Sequence, residues 1–129
     1  MYSPVMVGSN DIDASKTFYD ALFTATGGKG GKLDPKGRLV YLNNGGVFLV
    51  TPPIDGQPAT GGNGSTIGFA VDSPEQAQAW EQAGIAAGGT AIEDPPGVRS
   101  GSGMNLYLAY LRDPSGNKIC AMHRLPNDA

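Results

Sequence analysis

The sequence predicts an α+β fold of two tandem β-α-β-β-β modules, and three observations carry that prediction. The first is an internal repeat. Sliding the chain by 62 positions lays Pro4-Val5-Met6-Val7-Gly8 over Thr66-Ile67-Gly68-Phe69-Ala70, Asn10 over Asp72 and Phe18 over Trp80. The second is periodicity: each superposed segment opens with apolar residues at alternate positions (Val5 and Val7; Ile67 and Phe69), breaks at polar residues, and continues with helical spacing. The third is that each helical pattern is followed by two strong strand signals joined by a turn. Identity between the halves is low, so the order of elements carries the repeat.

Module one occupies about residues 1–56. After the strand around Val5 and Val7, a helix is predicted from Ile12 to Phe23, because Asp11 or Asp13 can accept the free amides of a first turn. Its apolar face is Ile12, Phe18, Tyr19, Leu22 and Phe23, and Gly27-Gly28 lies beyond its end. A weak strand near Gly28 to Leu33 comes next. Strong strands are expected from Arg38 to Leu42 and from Val47 to Thr51, joined by Asn43-Asn44-Gly45-Gly46, residues that tolerate positive φ. The Gly- and Pro-containing segment 55–64 is the linker.

Module two occupies about residues 65–125. Ser73-Pro74-Glu75-Gln76 is a capping box with Pro at the first helical position, and Gly88 is a natural left-handed stop. Ala77, Trp80, Gly84 and Ala87 recur at spacings of three and four between them. Gly84 inside that helix costs about 1 kcal/mol against Ala, and a close approach of helix to sheet is the expected reason. A weak strand follows near Thr90 to Glu93. Strong ones are expected from Asn105 to Leu111 and from Lys118 to His123, around the turn Asp113-Pro114-Ser115-Gly116-Asn117. The Gly/Pro/Ser-rich stretch Pro95 to Gly103 is expected to be a mobile loop.

Composition narrows the function classes. The chain has 129 residues, which fits one domain at about 100–200 residues each. With 12 acidic against 9 basic residues and a net charge of −3, it lacks the basic face of an electrostatic nucleic-acid binder. The longest unbroken apolar run is six residues, Leu106 to Leu111, far short of the ~20 a membrane helix needs. Residues 1–10 show no basic-then-apolar leader pattern. A single Cys makes no internal disulfide, which suits a reducing cytoplasm, and with one His it rules out a His-rich or Cys-rich metal site within one chain.

Two such modules resemble the vicinal oxygen chelate superfamily of glyoxalase I, extradiol dioxygenases and bleomycin-resistance proteins. The resemblance lies in Val5-Met6-Val7-Gly8-Ser9-Asn10-Asp11 ahead of a helix carrying Phe18-Tyr19, in Gly88-Gly89-Thr90, and in Tyr110-Leu111-Arg112-Asp113-Pro114-Ser115-Gly116-Asn117-Lys118. It covers nearly the whole chain, and the Asp-Pro-x-Gly-Asn turn is its most specific piece. It implies a glyoxalase/bleomycin-resistance-like half-barrel in which two modules enclose a cleft, and commonly a homodimer that pairs modules between chains. It also implies, for metal-using members, His and Glu ligands on the first and last strands of each module. Those positions fall here on Pro4, Leu49, Thr66 and Cys120. Proline and leucine offer no donor. A lone thiol and a hydroxyl do not hold a divalent ion that wants four to six ligands, so no metal and no cofactor are expected.

Alternation places Pro4, Met6 and Gly8 on one face of the first strand, Leu49 and Thr51 together on the fourth, Thr66 with Gly68, and Cys120 with Met122. If Arg112 pairs with Lys118 across the turn, Leu108 and Tyr110 join the Cys120 face. The resemblance places a site tyrosine at Tyr110. Met6, Leu49, Leu108, Tyr110, Cys120 and Met122 would then form an apolar cleft wall with a few polar tips, or simply pack as core. Cys120 reads as an inert buried thiol rather than a nucleophile, since no activating neighbour is visible. His123 should point away from it. Arg99 would sit at the cleft mouth, either meeting an anionic ligand or solvated. Trp80 and Phe18 read as core anchors.

Two functions remain open at this point. One is a metal-free protein that binds a small, partly apolar molecule in the cleft. The other is an enzyme, either a lyase or dioxygenase-type member of the same superfamily with an unorthodox site or one using Tyr110 and Cys120 without metal.

Overall fold

A computed structural model describes residues 2–101 and 103–126. The first module contains β1 (Val5–Gly8), α1 (Ile12–Ala25), β2 (Lys32–Leu33), β3 (Leu39–Asn43) and β4 (Gly46–Thr51). The second contains β5 (Ile67–Ala70), α2 (Pro74–Ala86), β6 (Thr90–Ala91), β7 (Gly97–Gly101), β8 (Met104–Arg112) and β9 (Lys118–Arg124). The first sheet has the order β1-β4-β3-β2 and the second β5-β9-β8-β6, with β7 also on β8. In each, the opening strand lies parallel to the last strand of its module. Among the described residues, no helix is long and apolar enough to cross a membrane.

The helices begin where their caps dictate. Ala14 N donates to Asp11 Oδ1 at 3.1 Å, and Gln76 N donates to Ser73 Oγ at 3.1 Å with Pro74 in the first turn. Gln76 completes the box one residue earlier than expected, since its Oε1 accepts from Asp72 N at 2.8 Å. The α1 face of Phe18, Tyr19, Leu22 and Phe23 is buried against β3 and β4, where the Tyr19 and Phe48 rings lie 5.0 Å apart. Helix α2 buries Ala77, Trp80 and Gly84. A Cβ on Gly84 would sit 2.3 Å from Leu111 Cδ1 of the second sheet and 2.9 Å from Leu22 Cδ2 of α1. The expected close approach is therefore real, and it is to both neighbours.

One apolar core thus lies between the sheets, shared by both helices. Phe48 of the first sheet meets Phe69 of the second at 5.1 Å, edge to face. The helix-bearing sides face each other, so the opposite sides of both sheets point outward.

A buried polar lock joins the modules at one end. The Asp113 carboxylate, 4% exposed, accepts from Tyr19 Oη at 2.6 Å, from Asn117 Nδ2 at 2.8 Å, and from the Ser115 and Asn117 amides at 2.9 Å each. Asn117 Nδ2 also donates to Gly8 O at 2.8 Å, and Asn10 N donates to Ser115 Oγ at 2.9 Å. Burial, then the Asp113 charge, raises the Tyr19 phenol well above its ordinary pKa. The Asp-Pro-Ser-Gly-Asn segment is consequently an inter-module clamp as well as a tight turn.

One expectation is corrected. The stretch Pro95 to Gly103 is not simply a loop: Gly97–Gly101 forms β7, antiparallel to β8 from Gly97↔Leu108 to Gly101↔Met104. Strand β6 pairs only with Leu111 and Arg112, leaving the rest of that β8 edge with unsatisfied amides and carbonyls. The small residues of β7 fill it despite their poor strand propensity, because ladder bonds outweigh it. Ser102 lies outside the described residues.

Candidate functional site

The outward face of the second sheet is set by register. Tyr110 pairs with Cys120, Leu108 with Met122 and Arg112 with Lys118, so these side chains share one side. Gly68 pairs with Cys120 from the other flank, and a Cβ there would lie 3.2 Å from Sγ. Cys120 and Leu108 are buried, while Tyr110 and Met122 are half-buried. Lys118 Nζ sits 5.0 Å from the Tyr110 ring centroid and pairs with Glu93.

Electrostatics hold both candidate reactive groups in their neutral forms. Burial pushes the Cys120 thiol up to about 11, with Lys118 opposing and Glu93 assisting. Tyr110 is also raised, first by burial and then by Cys120 and Glu93, against Lys118 and Arg99. A nucleophilic thiol needs the opposite shift. His123 gives no help, since it pairs with Tyr107 on the other side of the sheet and its Nδ1 lies 3.2 Å from Val71 O. Arg99 lies across from Leu106 on β7, and its guanidinium donates to the carbonyls of Asp94 (3.0 Å), Pro95 (3.1 Å) and Gly97 (3.0 Å). It staples its own segment from the face that Leu106, Leu108 and Tyr110 share.

The outward face of the first sheet carries Met6, 42% exposed, beside Leu49, with Val40 next in line. Gly8 pairs with half-buried Thr51, whose hydroxyl donates to Pro52 O at 2.8 Å. Pro4 and Thr66 are exposed just ahead of β1 and β5. Here the structure corrects the expected cleft wall. Met6 and Leu49 belong to one outward face, and Leu108, Tyr110, Cys120 and Met122 to the other, with the whole core between them. They do not line a common cleft within one chain, because the sheets meet through their helix-bearing sides.

Among the described residues, no three His, Cys, Asp or Glu side chains gather in a geometry able to hold a metal ion. The donors at the four positions do not fit a divalent metal either: none at Pro4 or Leu49, a hydroxyl at Thr66, and a protonated thiol at Cys120.

Sequence reasoning missed a second feature. A cavity of about 240 Å³ opens between the modules on the helix-bearing side, walled by Phe23, Phe48, Phe69 and Trp80 among others. These residues fit an ordinary core pattern, and no spacing in the sequence distinguishes a core that closes from one that leaves a gap.

A model of the Glyoxalase/Bleomycin resistance protein/Dioxygenase superfamily matches residues 2–121. Among solved structures, the chain is similar to a glyoxalase/bleomycin resistance protein from Albidiferax ferrireducens T118, with 58% identity, 96% of this chain and 99% of that chain covered, and a TM-score of 0.92. Likeness of fold alone extends to two more distant structures. A glyoxalase/bleomycin resistance protein/dioxygenase family enzyme from Burkholderia phytofirmans PsJN shows 21% identity, 95% and 98% coverage and a TM-score of 0.71. A lactoylglutathione lyase from Agrobacterium tumefaciens shows 18%, 95% and 92%, and 0.65. No curated protein matches the chain.

Proposed function

The chain belongs to the Glyoxalase/Bleomycin resistance protein/Dioxygenase superfamily, and from that premise we propose that it is a metal-free protein binding a small, partly apolar molecule in a cleft shared by two copies. The observation that carries this is the pair of outward sheet faces, on which Met6, Leu42, Tyr110 and Met122 keep exposed surface within the single chain. Met6 and Leu42 are 42% and 68% exposed on the outward face of the first sheet, and Leu108, Cys120 and Met122 share the outward face of the second. Setting the first sheet of one chain against the second sheet of its partner brings Pro4, Met6, Leu49 and Thr51 opposite Thr66, Gly68, Leu108, Tyr110, Cys120 and Met122. Twofold symmetry makes two such clefts and covers the free edges and apolar surface of both chains.

Binding is favoured over catalysis by the chemistry of the wall. The family's metal positions hold no adequate donors, and the one thiol is held protonated. Tyr110, with Lys118 over its ring, offers the cleft a hydroxyl for hydrogen bonding, and the thioethers and aliphatic side chains supply apolar contact. The unpaired cysteine agrees with a reducing cytoplasm.

The experiment is light scattering joined to a thermal-shift screen. A dimer of about 26.6 kDa (2 × 13.3 kDa) is expected at micromolar concentration. A cleft ligand at 100 times its Kd should stabilise the protein by about 2.7 kcal/mol, whereas Zn, Ni, Fe and Mn should not. A purely 13.3 kDa species, or one equivalent of metal per chain lost together with an activity on chelation, overturns the proposal.

A further inference from the structure

Charge is sorted between the layers of this fold. The chain has 12 acidic and 9 basic residues, yet among the described residues no Asp or Glu lies on any strand. The strands hold five basic residues, Lys32, Arg99, Arg112, Lys118 and Arg124. Register puts all of them on outward faces. Lys32 pairs with Val40 and so lies with Leu49, Arg99 and Arg124 both pair with Leu106, and Arg112 and Lys118 pair on the face of Tyr110 and Cys120. The helices carry the opposite sign, with Asp13 and Asp20 on α1 and Glu75 and Glu81 on α2.

The two ends of the outward face on the second sheet differ. At one end, Lys118 pairs with Glu93, and Arg112 Nη1 donates to Gly116 O at 2.7 Å. At the other, Arg99 and exposed Arg124 flank half-buried Leu106 on its two sides. Among the described residues neither of these two makes an ion pair. A guanidinium has five N–H donors. Arg99 commits three of them to the carbonyls of Asp94, Pro95 and Gly97, which fixes the group and leaves two donors and the whole charge. That charge is felt nearby: burial raises the Tyr110 and Glu81 pKa values, and Arg99 opposes both rises.

Neighbouring strands lie about 4.8 Å apart, so Arg99 and Arg124 stand roughly 10 Å from each other across β8. Two side chains of that length can converge on one group above Leu106. From Leu106 to Tyr110 the strand rises about 13 Å, over a floor of Leu108 and Met122. Setting the first sheet of one chain on the second sheet of its partner gathers Lys32 with the four cations there, against the one carboxylate of Glu93. Like charges drawn together out of water repel, and an anion between them offsets that repulsion.

We infer, resting on the shared cleft, that its occupant is an anion: an apolar body ending in a carboxylate or a similar acidic group, the charged end held by Arg99 and Arg124 and the body lying over Leu108 and Met122 toward the Tyr110 hydroxyl. A neutral molecule of the same shape covers the floor and leaves both guanidiniums unanswered. A cation meets like charge on both walls.

2-Naphthoate and 2-naphthamide test this, being alike in shape and differing in charge. At low ionic strength the carboxylate should bind with a Kd about tenfold or more below that of the amide, and high salt should narrow the gap. In 1H–15N spectra of the intact protein, the Nε–H resonances of Arg99 and Arg124 should move as 2-naphthoate saturates. In Arg124→Gln, a change at an exposed strand end, the two Kd values should converge. Equal affinity for the two compounds in wild type overturns the inference, as does binding of neither, or an Arg124→Gln protein that holds 2-naphthoate as tightly as wild type. Light scattering of the same samples separates this from the shared cleft. Equal affinity in a dimer of 26.6 kDa (2 × 13.3 kDa) removes the anion alone, whereas a 13.3 kDa species that binds neither compound removes both readings.

Discussion

Gly84→Ala is expected to destabilise the protein, although the same change on an exposed helix would stabilise it. In isolation, alanine gains about 1 kcal/mol over glycine in a helix interior. Here its Cβ would stand 2.3 Å from Leu111 Cδ1, 2.9 Å from Leu22 Cδ2 and 3.3 Å from Phe18 Cε1, against the ~3.5–4.0 Å at which carbon atoms attract. All three neighbours are 0% exposed, so none can swing into solvent. They must leave their rotamers or push α2 away from α1 and the second sheet. Overpacking of this kind costs about 1–3 kcal/mol, and after the propensity gain of about 1 kcal/mol a net loss of up to about 2 kcal/mol remains. For a chain of 129 residues that lowers Tm by up to about 8 °C. Urea unfolding followed by Trp80 fluorescence measures it, and Leu111→Val should recover part of the loss in a double-mutant cycle. A Gly84→Ala protein about 1 kcal/mol more stable than wild type would refute the packing of α2 between the two.

Tyr19→Phe should cost about 1.5–3 kcal/mol, because it takes one donor from a buried carboxylate; a denaturation midpoint within error of wild type would mean that the Asp113 clamp does not join the modules. The Cys120 pKa, raised to about 11, makes alkylation slow at pH 8 and faster as pH rises toward that value, so rapid iodoacetamide labelling at neutral pH would contradict the burial of Sγ. The same shift has a stability sign. The folded state holds the thiol proton more tightly than the unfolded chain, so this contribution is present below about pH 9 and is lost between about 9 and 11. Wild type should therefore lose stability relative to Cys120→Ala across that window, and parallel pH profiles would contradict it. Adding Zn, Ni, Fe or Mn should leave Tm unchanged, and elemental analysis of untagged protein should find no stoichiometric transition metal.

Much of the fold was legible because its signals are local. The shift of 62 placed β1 over β5, and the Asp11 and Ser73 caps fixed the helix starts. The Arg112–Lys118 pairing put Tyr110 beside Cys120 as alternation required. Gly84 announced a close contact by its cost. What stayed illegible depends on distant partners. Strand β7 forms because β8 outruns β6, a fact of strand length rather than of Gly97-Val98-Arg99-Ser100-Gly101 itself. Asp113 and Asn117 satisfied a turn so well that nothing in the sequence called for their bonds to Tyr19 and Gly8. Alternation assigns a residue to a face of its own sheet, but which faces meet is decided by how the helices pack. That is why Leu49 and Cys120, both correctly placed on their strands, share no wall within one chain.

The most direct test of the shared cleft is a mixing experiment with two single-cysteine chains, both carrying Cys120→Ser. One has Met6→Cys on the outward face of the first sheet, and the other has Met122→Cys on that of the second. A thiol-to-thiol linker spanning roughly the 10 Å between packed sheets is added to each alone and to the equimolar mixture. The account predicts a covalent species of about 26.6 kDa (2 × 13.3 kDa) in the mixture and little in either chain alone. A mixture that stays at 13.3 kDa, or a Met6→Cys chain that links to itself just as well, would contradict it.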